Sequence, residues 1–567
     1  MVKYKITILL ILFFYINSIT GITQNSFLDE IQLMDHQRNI QLIDSSKNIE
    51  HSFLTRSTQQ FQSIQSSFYP NRRKKFIQNF YFGYDQVNNS LLPQNWNDGN
   101  MYPARGWQER YTVGLQLKLS ILDINLQPEW LKVQNIPQQY YPGNPEDGNF
   151  MPKYFGSVAN VIDNFRQFGS SKIDTFSLGQ SRVGLKLGPI SVGYSNQNNW
   201  WGPGKRNSIL LSNNAAGFKH LYLSSNKPIQ SAIGSFEFSA ITGILDTNWY
   251  EDPDLPLMRS IWSGGIAKKN LDQRKIDAIT INWRPKWIPN LFLGYAYSRQ
   301  YYKHQLNPYG QPYNLFSKDF TKVELGSLMF RFLLPKDNAE LYGELGIPNK
   351  APWPWKFFEK NPKTGFVFGV TKIAKFRNKN SYLSLNVEMT QLQLYNPKDM
   401  FYPGWAFVGG LSNSWYTSDI IKQGYTNQGQ ILGAAVGPGS NSQTINLSYH
   451  YKYNTIGIMV ERISQNNDFF SVAYFTGKNG QINPGYGQVW GYYNKYWVDI
   501  NSKFYVQIMP IKNILVAASW MQTDAMNYRW IKVNMNGRKY DDPSSITDKY
   551  NQQFQLSLKY LLHAKIQ

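Results

Sequence analysis

The clearest pattern in this chain is an alternation of apolar and polar residues over stretches of about ten residues. In the range 382–390, four apolar residues alternate with more polar neighbours, and the apolar ones are Leu383, Leu385, Val387 and Met389. The same period of two recurs over 445–454, 498–507 and 554–562. A period of two over this length predicts tilted β-strands long enough to cross a bilayer.

Shorter stretches with the same period predict further strands. They lie around 182–194, 235–244, 276–283, 291–297, 328–334, 341–345 and 513–521. Charged side chains keep to one face of the strands, and we expect this face to line a polar lumen. Only a closed barrel pairs every backbone group of such strands in lipid, so the predicted fold is all-β, a transmembrane antiparallel β-barrel. The alternative is a large soluble β-sandwich or propeller with one wet face.

Long segments rich in Gly, Pro, Asn and aromatic residues separate the predicted strands, at 196–212, 248–263, 349–363, 396–439 and 479–493. Outer-membrane barrels have short periplasmic turns and long external loops. We therefore expect these segments to form an aromatic-rich surface outside the barrel or at its mouth. Their tryptophans are Trp200, Trp201, Trp249, Trp353, Trp355, Trp405, Trp415 and Trp490.

The N-terminus has a different pattern. Lys3 and Lys5 precede an apolar run at 6–16, and a small polar stretch follows at 17–21. This layout predicts a secretory signal peptide over 1–23, with a short buried helix as the alternative. For 24–75 we predict a small periplasmic helical segment and a polar linker, since apolar residues there have helical spacing; a disordered tail competes for 44–72. The barrel is expected over 76–567.

Composition and charge narrow the choice of partners. The 567 residues include 16 % aromatics and no Cys, so disulfides and an N-terminal lipid are excluded. Lys and Arg exceed Asp and Glu by 58 − 37 = 21. A basic lumen or mouth concentrates anionic polymers, and basic residues at the rim suit anionic lipid headgroups. An exported barrel meets no nucleic acid, and we expect the barrel assembly machinery to be its partner during insertion.

Three groups of motifs resemble one family. They are 97–108 followed by Gln127-Pro128-Glu129; 199–212, which reads NWWGPGKRNSILLS; and 400–416 with 437–441. In this order they resemble the Wzi family of capsule-assembly proteins. The resemblance implies an outer-membrane barrel of about 18 strands with a small periplasmic helical element. It also implies a lectin-like role in holding capsular polysaccharide on the cell surface.

The second motif contains the candidate binding residues. Its Gly202–Lys205 stretch is not a phosphate loop, because Gly is missing at 199 and Arg206 replaces the required Ser or Thr. We interpret it as a turn that presents Trp200 and Trp201 beside Lys205 and Arg206. An indole beside fixed cations suits a sugar ring that carries a carboxylate. The alternative places the tryptophans in the aromatic girdle.

Other candidates complete the predicted site. In the third motif, further polysaccharide-binding candidates are Tyr402, Trp405, Trp415 and Tyr416. Asp98 and Arg105 are predicted to be structural, with Arg105 paired to Asp98 or to a carboxylate of the lumen.

No catalytic pattern emerges from the sequence. The six His have no metal-ligand spacing and G-x-S-x-G is absent, so we expect no metal, no cofactor and no enzyme. Loop carboxylates at 251, 252, 254, 541 and 542 are interpreted as solvated charge. The predicted function is a polysaccharide-binding surface anchor, which the Trp-rich loops favour. A diffusion channel for anionic solutes is the alternative, and an outer-membrane enzyme is a weaker one.

Overall fold

The structure is a computed structural model of the chain. It describes residues 30–43, 51–56, 76–137, 158, 160–164, 167–247, 250, 269, 272–303, 322–348, 357, 363–377, 381–394, 414–470, 496–511, 513–528 and 548–563. Several predictions concern residues outside these ranges: the signal peptide at 1–23, the loop carboxylates at 251–254 and 541–542, and the side chains Tyr402, Trp405, Trp249, Trp353, Trp355 and Trp490.

Eighteen antiparallel strands, counted over the described residues with an interrupted strand counted once, close into one barrel. In chain order they are β1 (Phe76–Asn89), β2 (Gly106–Leu119), β3 (Leu122–Leu126 and Glu129–Val133), β4 (Ile173–Ser177 and Arg182–Leu187), β5 (Ile190–Ser195), β6 (His220–Ser225 and Ile229–Ser231), β7 (Gly234–Leu245), β8 (Arg274–Pro285), β9 (Leu291–Tyr302), β10 (Val323–Leu334), β11 (Ala339–Pro348), β12 (Gly365–Lys375), β13 (Ser381–Gln391), β14 (Asn441–Tyr451), β15 (Asn454–Ser464), β16 (Val498–Ile511), β17 (Ile514–Met526) and β18 (Lys549–His563). Strand β18 pairs with β1, with Leu558 opposite Tyr84, and this pairing closes the barrel. The predicted barrel is confirmed.

Apolar side chains face outward and polar ones inward, as the alternation predicts. On β13, Leu385, Val387 and Met389 are 40 %, 43 % and 41 % exposed. Their polar neighbours are buried in the lumen: Ser384, Asn386, Glu388 and Thr390. The barrel therefore has an apolar exterior suited to lipid and a polar interior.

Strand connections differ in length between the two ends of the barrel. At one end they are short, from two residues at 120–121 to five at 376–380. At the other end they are long, including 134–172, 196–219 and 392–440. In outer-membrane barrels the short turns are periplasmic and the long loops external.

The predicted segment 182–194 is not one strand, because Gly188 and Pro189 form a short turn between β4 and β5.

A row of aromatic side chains crosses the outer face of β1–β4 toward the long-connection end. Tyr84, Tyr111, Trp130 and Phe176 lie opposite one another on successive strands. Two positions further along each strand toward that end, the outer face carries charged residues instead: Glu109, Lys132 and Asp174. Aromatic residues next to a charged row mark a lipid–water interface.

An α-helix, α1 (Glu30–Ile43), lies at the short-turn end of the barrel. Lys375, the last residue of β12, donates from Nζ to the carbonyl oxygen of Ile43 at 2.6 Å. His36 packs against the ring of Tyr453 in the turn between β14 and β15. The predicted helical segment is present, and it contacts the wall around β11–β14. Among the described residues, no helix is long and apolar enough to span a membrane.

Candidate functional site

Residues 199–212, which we call the strap, lie inside the barrel and not in an exposed loop. The strap belongs to the long connection between β5 and β6, and it turns back on itself, with Trp201 N donating to Leu211 O at 3.0 Å. Trp200 is 2 % exposed and Trp201 is fully buried. The expectation that these tryptophans belong to a surface outside the barrel or at its mouth is wrong. They are buried because the lumen is polar: its glutamates form ion pairs with the cations of the strap and accept hydrogen bonds from its backbone N–H groups.

The turn of the strap binds a carboxylate through its backbone. The three amide groups at 205–207 donate to the side chain of Glu388 at 2.5, 3.1 and 2.8 Å. Successive N–H groups of one turn form an anion-binding concavity, and here the anion is the chain's own glutamate. Gly204 permits this turn, because a Cβ on it would lie 1.9 Å from the carbonyl oxygen of Asn207. The backbone of this turn is thus an anion-binding site, and the carboxylate of Glu388 occupies it.

Arg206 reaches a second wall glutamate. Its Nε donates to Glu461 Oε1 on β15 at 2.8 Å. Glu461 also accepts from Thr444 and Asn501 at 3.1 and 3.3 Å. The guanidinium lies over the ring of Trp96, 4.1 Å from its centroid. The Arg206 side chain is therefore engaged on two sides by the protein itself.

Lys205 lies near a third wall glutamate, which collects several cations. Glu340 on β11 pairs with Arg38 of α1 at 2.9 Å and with Arg331 of β10 at 2.6 Å. Lys205 Nζ is 4.0 Å from the same carboxylate and 3.2 Å from Asn39 Oδ1. Burial lowers the pKa of Lys205 to about 8, and the attraction to Glu340 offsets this only partly.

A fourth glutamate holds the far side of the turn. Glu344, also on β11, accepts from the backbone N–H of Ile209 at 3.1 Å. Gly202 passes so close to this side chain that a Cβ on it would lie 2.6 Å from Glu344 Oε2. Four inward-facing glutamates on three strands therefore fix the strap: Glu340, Glu344, Glu388 and Glu461.

Residues 54–56 and Arg38 of α1 bind the strap from the short-turn end. Thr55 and Arg56 form a two-residue antiparallel strand with Trp201 and Trp200. Leu54 O accepts from the backbone N–H of Gly202 at 2.8 Å. Arg56 Nη2 donates to the carbonyl oxygen of Gly204 at 2.7 Å, and Arg38 Nη1 donates to that of Pro203 at 2.5 Å. Residues 51–56, within the predicted linker, are thus part of the lumen.

Residues 414–440 pack on the strap toward the long-connection end. Trp415 and Tyr416 are buried in an apolar cluster with Trp201 and Ile209. Tyr416 donates its hydroxyl hydrogen to Ile209 O at 2.9 Å, and it accepts from the backbone N–H of Ala434 at 2.9 Å. The expectation of an exposed Trp415 is wrong, because this segment forms an apolar core with the strap inside the barrel.

The first sequence motif joins the same assembly. Asn97 Nδ2 donates to Arg206 O at 3.0 Å, and Gly99 N donates to Asn213 O at 2.8 Å. Asn95 Nδ2 lies 2.8 Å from Gln430 Oε1. The structure therefore brings together the strap, residues 95–99 and residues 414–440, which are far apart in sequence.

The predicted pairing of Arg105 with Asp98 is wrong. Arg105 donates to the carbonyl oxygens of Ser90 and Pro137 at 3.0 and 3.3 Å, so it orders backbone instead of meeting a carboxylate. Asp98 Oδ1 lies 3.5 Å from Gln555 Nε2. Burial raises the pKa of Asp98, although Lys503 and Arg110 lie near enough to oppose the shift.

The sequence interpretation missed the four wall glutamates as partners of the strap. A signal exists for two of them, because Glu344 and Glu388 occupy inward positions of the predicted strands at 341–345 and 382–390, and a buried carboxylate requires a cation or several N–H donors. Glu340 and Glu461 lie outside the predicted strands. No group of three or more His, Asp or Glu within the described ranges is arranged to hold a metal ion.

A closed barrel of this size, apolar outside and polar within, defines the chain as an outer-membrane β-barrel. The family model described as "Capsule assembly protein Wzi" matches residues 133–262, a range that contains the whole strap. The resemblance to the Wzi family is confirmed over these residues.

One solved structure of low sequence identity has a similar fold. The carbohydrate-binding β-barrel Wzi, an outer-membrane protein involved in group 1 capsule assembly in Escherichia coli, is similar at 12 % identity and TM-score 0.55, over 92 % of this chain and 97 % of that one. OccAB2 of Acinetobacter baumannii aligns at 9 % identity, TM-score 0.39, over 87 % and 100 % of the two chains. OprD of Pseudomonas aeruginosa aligns at 8 % identity, TM-score 0.38, over 87 % and 94 %. The last two scores are too low to carry an argument. No curated protein matches the chain.

Proposed function

We propose that this protein binds capsular or other surface polysaccharide and holds it on the outer face of the outer membrane. The observation that carries the proposal is the strap. It occupies the lumen, it is fixed by four wall glutamates, and it lies within the range that matches the capsule-assembly family. The similar barrel from Escherichia coli, a carbohydrate-binding protein of capsule assembly, supports the same role.

The strap makes a diffusion channel the weaker candidate. A solute would have to pass a segment whose backbone and cations are bonded to the wall on β11, β13 and β15. Removing one partner of a buried ion pair costs roughly 3–5 kcal/mol. The strap therefore stays in place under ordinary conditions. Its position in the lumen favours binding at the surface over transport and over catalysis.

In this proposal the strap residues support the loops that bind polysaccharide and do not contact it themselves. Trp200, Trp201, Lys205 and Arg206 contact the protein's own groups, so they support the segments above them instead of stacking on sugar. Trp415 and Tyr416 belong to the same supporting core. Direct contact is assigned to the long connections, where Tyr402 and Trp405 are the candidates.

The chemistry of the chain favours an anionic polymer. A net charge of +21 attracts polyanions over distances set by the ionic strength. The outer aromatic row with Lys132 above it suits lipid and its anionic headgroups. Insertion by the barrel assembly machinery is also part of the proposal.

The test compares encapsulated cells with and without the protein. We expect the total amount of polysaccharide to be unchanged on deletion, and its cell-bound fraction to move into the medium. Complementation with the Tyr402→Ala/Trp405→Ala double variant should leave the defect. The matched control is Trp287→Ala, because Trp287 is 69 % exposed in a short turn at the opposite end. An unchanged cell-bound fraction in the deletion strain would contradict the proposal.

A further inference from the structure

A basic cluster lies in the lumen near the short-turn end, away from the strap. Lys118 on β2 is opposite Asp123 on β3, and Asp123 is opposite Gly184 on β4. Arg182 and Lys186, two residues on either side of Gly184, face the lumen from β4. Lys118, Asp123 and Lys186 each lie two positions from the turns at 120–121 and 188–189.

Among the described residues, the cations of this cluster outnumber its carboxylates. Asp123 Oδ2 is 3.0 Å from Arg182 Nη2 and 3.0 Å from Lys186 Nζ. Lys118 adds a third cation beside this one carboxylate. Arg182 is 1 % exposed, and its Nε and Nη1 make no hydrogen bond with the described part of the chain. An incompletely compensated buried guanidinium is costly, so this arrangement favours an added anion.

Solvent reaches the cluster through its lysines. The side chain of Lys186 is 27 % exposed, and that of Lys118 is half-buried. The described contacts of α1 are with strands β10–β14, with residues 51–56 and with the strap. Eight of the eighteen strands lie between β2 and β11 in either direction around the barrel, so α1 packs on the opposite wall from the cluster.

We propose that Lys118 and Lys186 bind a carboxylate or phosphate group that enters from the short-turn mouth, with Arg182 supplying fixed positive charge behind them. Charge-assisted hydrogen bonds from ammonium groups to such oxygens are short and strong. Asp123 is the internal competitor, because it occupies the centre of the cluster and offsets one of the three cations. The site goes beyond the proposed surface binding and does not depend on it.

The signs of two substitutions test the site. Lys118→Gln should weaken anion binding by roughly three- to fivefold, the size expected for a half-exposed ion pair. Asp123→Asn should strengthen it, because the internal carboxylate is neutralised. Lys336→Gln is the matched control, since Lys336 lies in the short turn between β10 and β11. Heat-modifiability on gels checks that each variant is folded, and Lys186→Gln replaces Lys118→Gln if that variant does not fold.

The measurement is calorimetric titration of the full-length protein in a neutral detergent at low ionic strength. The ligands are sodium D-glucuronate, inorganic phosphate and, as the uncharged control, D-glucose. Binding of either anion, with the two opposite effects and none from glucose, supports the site; glucuronate alone identifies a carboxylate source and phosphate alone a phosphate source. Absence of binding by both anions, or equal affinity of wild type and Lys118→Gln, would overturn it. Capsule retention by Lys118→Gln cells is a separate readout, and it reports on the surface function alone.

Discussion

Arg206 and Glu461 are joined by an N–H···O bond of 2.8 Å between Nε and Oε1, although 255 positions separate them in the sequence. One belongs to the strap and the other faces the lumen from β15. Among the described residues, Arg206 is the cation that hydrogen-bonds to Glu461, and Lys503 lies near enough to attract the same carboxylate. Thr444 and Asn501 donate its other hydrogen bonds. This pair ties the strap to the barrel wall.

We expect Arg206→Met to destabilise the barrel strongly. The substitution leaves Glu461 buried without its hydrogen-bonded cation, and breaking a buried ion pair in this way costs roughly 3–5 kcal/mol. Urea unfolding followed by loss of heat-modifiability measures the change. The adjacent Arg462 is exposed on the outer face, so Arg462→Met should cost at most about 1 kcal/mol. Equal midpoints for the two variants would show that the pair does not stabilise the fold.

Glu388 gives a second test, through the backbone of the strap. Glu388→Ala leaves three amide donors without an acceptor, each costing about 1–3 kcal/mol if it stays buried. Glu388→Gln keeps one oxygen for them, so its loss of stability should be clearly smaller. The same unfolding measurement separates the two. If alanine and glutamine behave alike, the turn does not depend on this carboxylate.

The pKa of Lys205 predicts a pH dependence of stability. Its pKa is lowered from 10.5 to about 8 in the folded state, mainly by burial. Between these two pH values the unfolded chain holds more protons than the folded one. The free energy of unfolding should therefore rise with pH across this window because of Lys205. In Lys205→Met this contribution should be absent. The free energy of unfolding of the wild type minus that of the variant should therefore increase from pH 8 to pH 10.5. A constant difference would contradict the buried position of Lys205.

Conductance tests whether the lumen is closed. In planar bilayers we expect little or no steady current from the intact protein, because the strap lies in the lumen and is bonded to the wall on β11, β13 and β15. Arg206→Met combined with Glu388→Ala frees two of its attachments and should produce brief openings. Large, stable, anion-selective channels in the unmodified protein would favour the diffusion channel instead.

Much of the barrel could be predicted from the sequence. The alternation over 382–390 identifies β13 together with the side that faces lipid, because inward and outward environments differ at every second residue. The range 445–454 was predicted too long, since β14 ends at Tyr451 and the turn at 452–453 continues the apolar–polar alternation by chance. Local patterns predict strands well and their ends less well.

The site was predicted less completely for a physical reason. Trp201 and Arg206 have the composition of an exposed binding loop, and their burial depends on Glu344, Glu388 and Glu461 on distant strands. Only the closed barrel brings these groups together. In such a fold the polar face is the interior, so the usual inference from charged residues to the surface fails at the lumen.

The most direct test of the account is binding of the purified protein to polysaccharide from its own host. Surface plasmon resonance with the immobilised barrel, at physiological salt, measures this without export or assembly. We expect saturable binding that weakens as salt is raised, and that exceeds binding to an uncharged glucan of similar length. A folded, heat-modifiable barrel that shows no binding to the host's polysaccharide would contradict the proposed function.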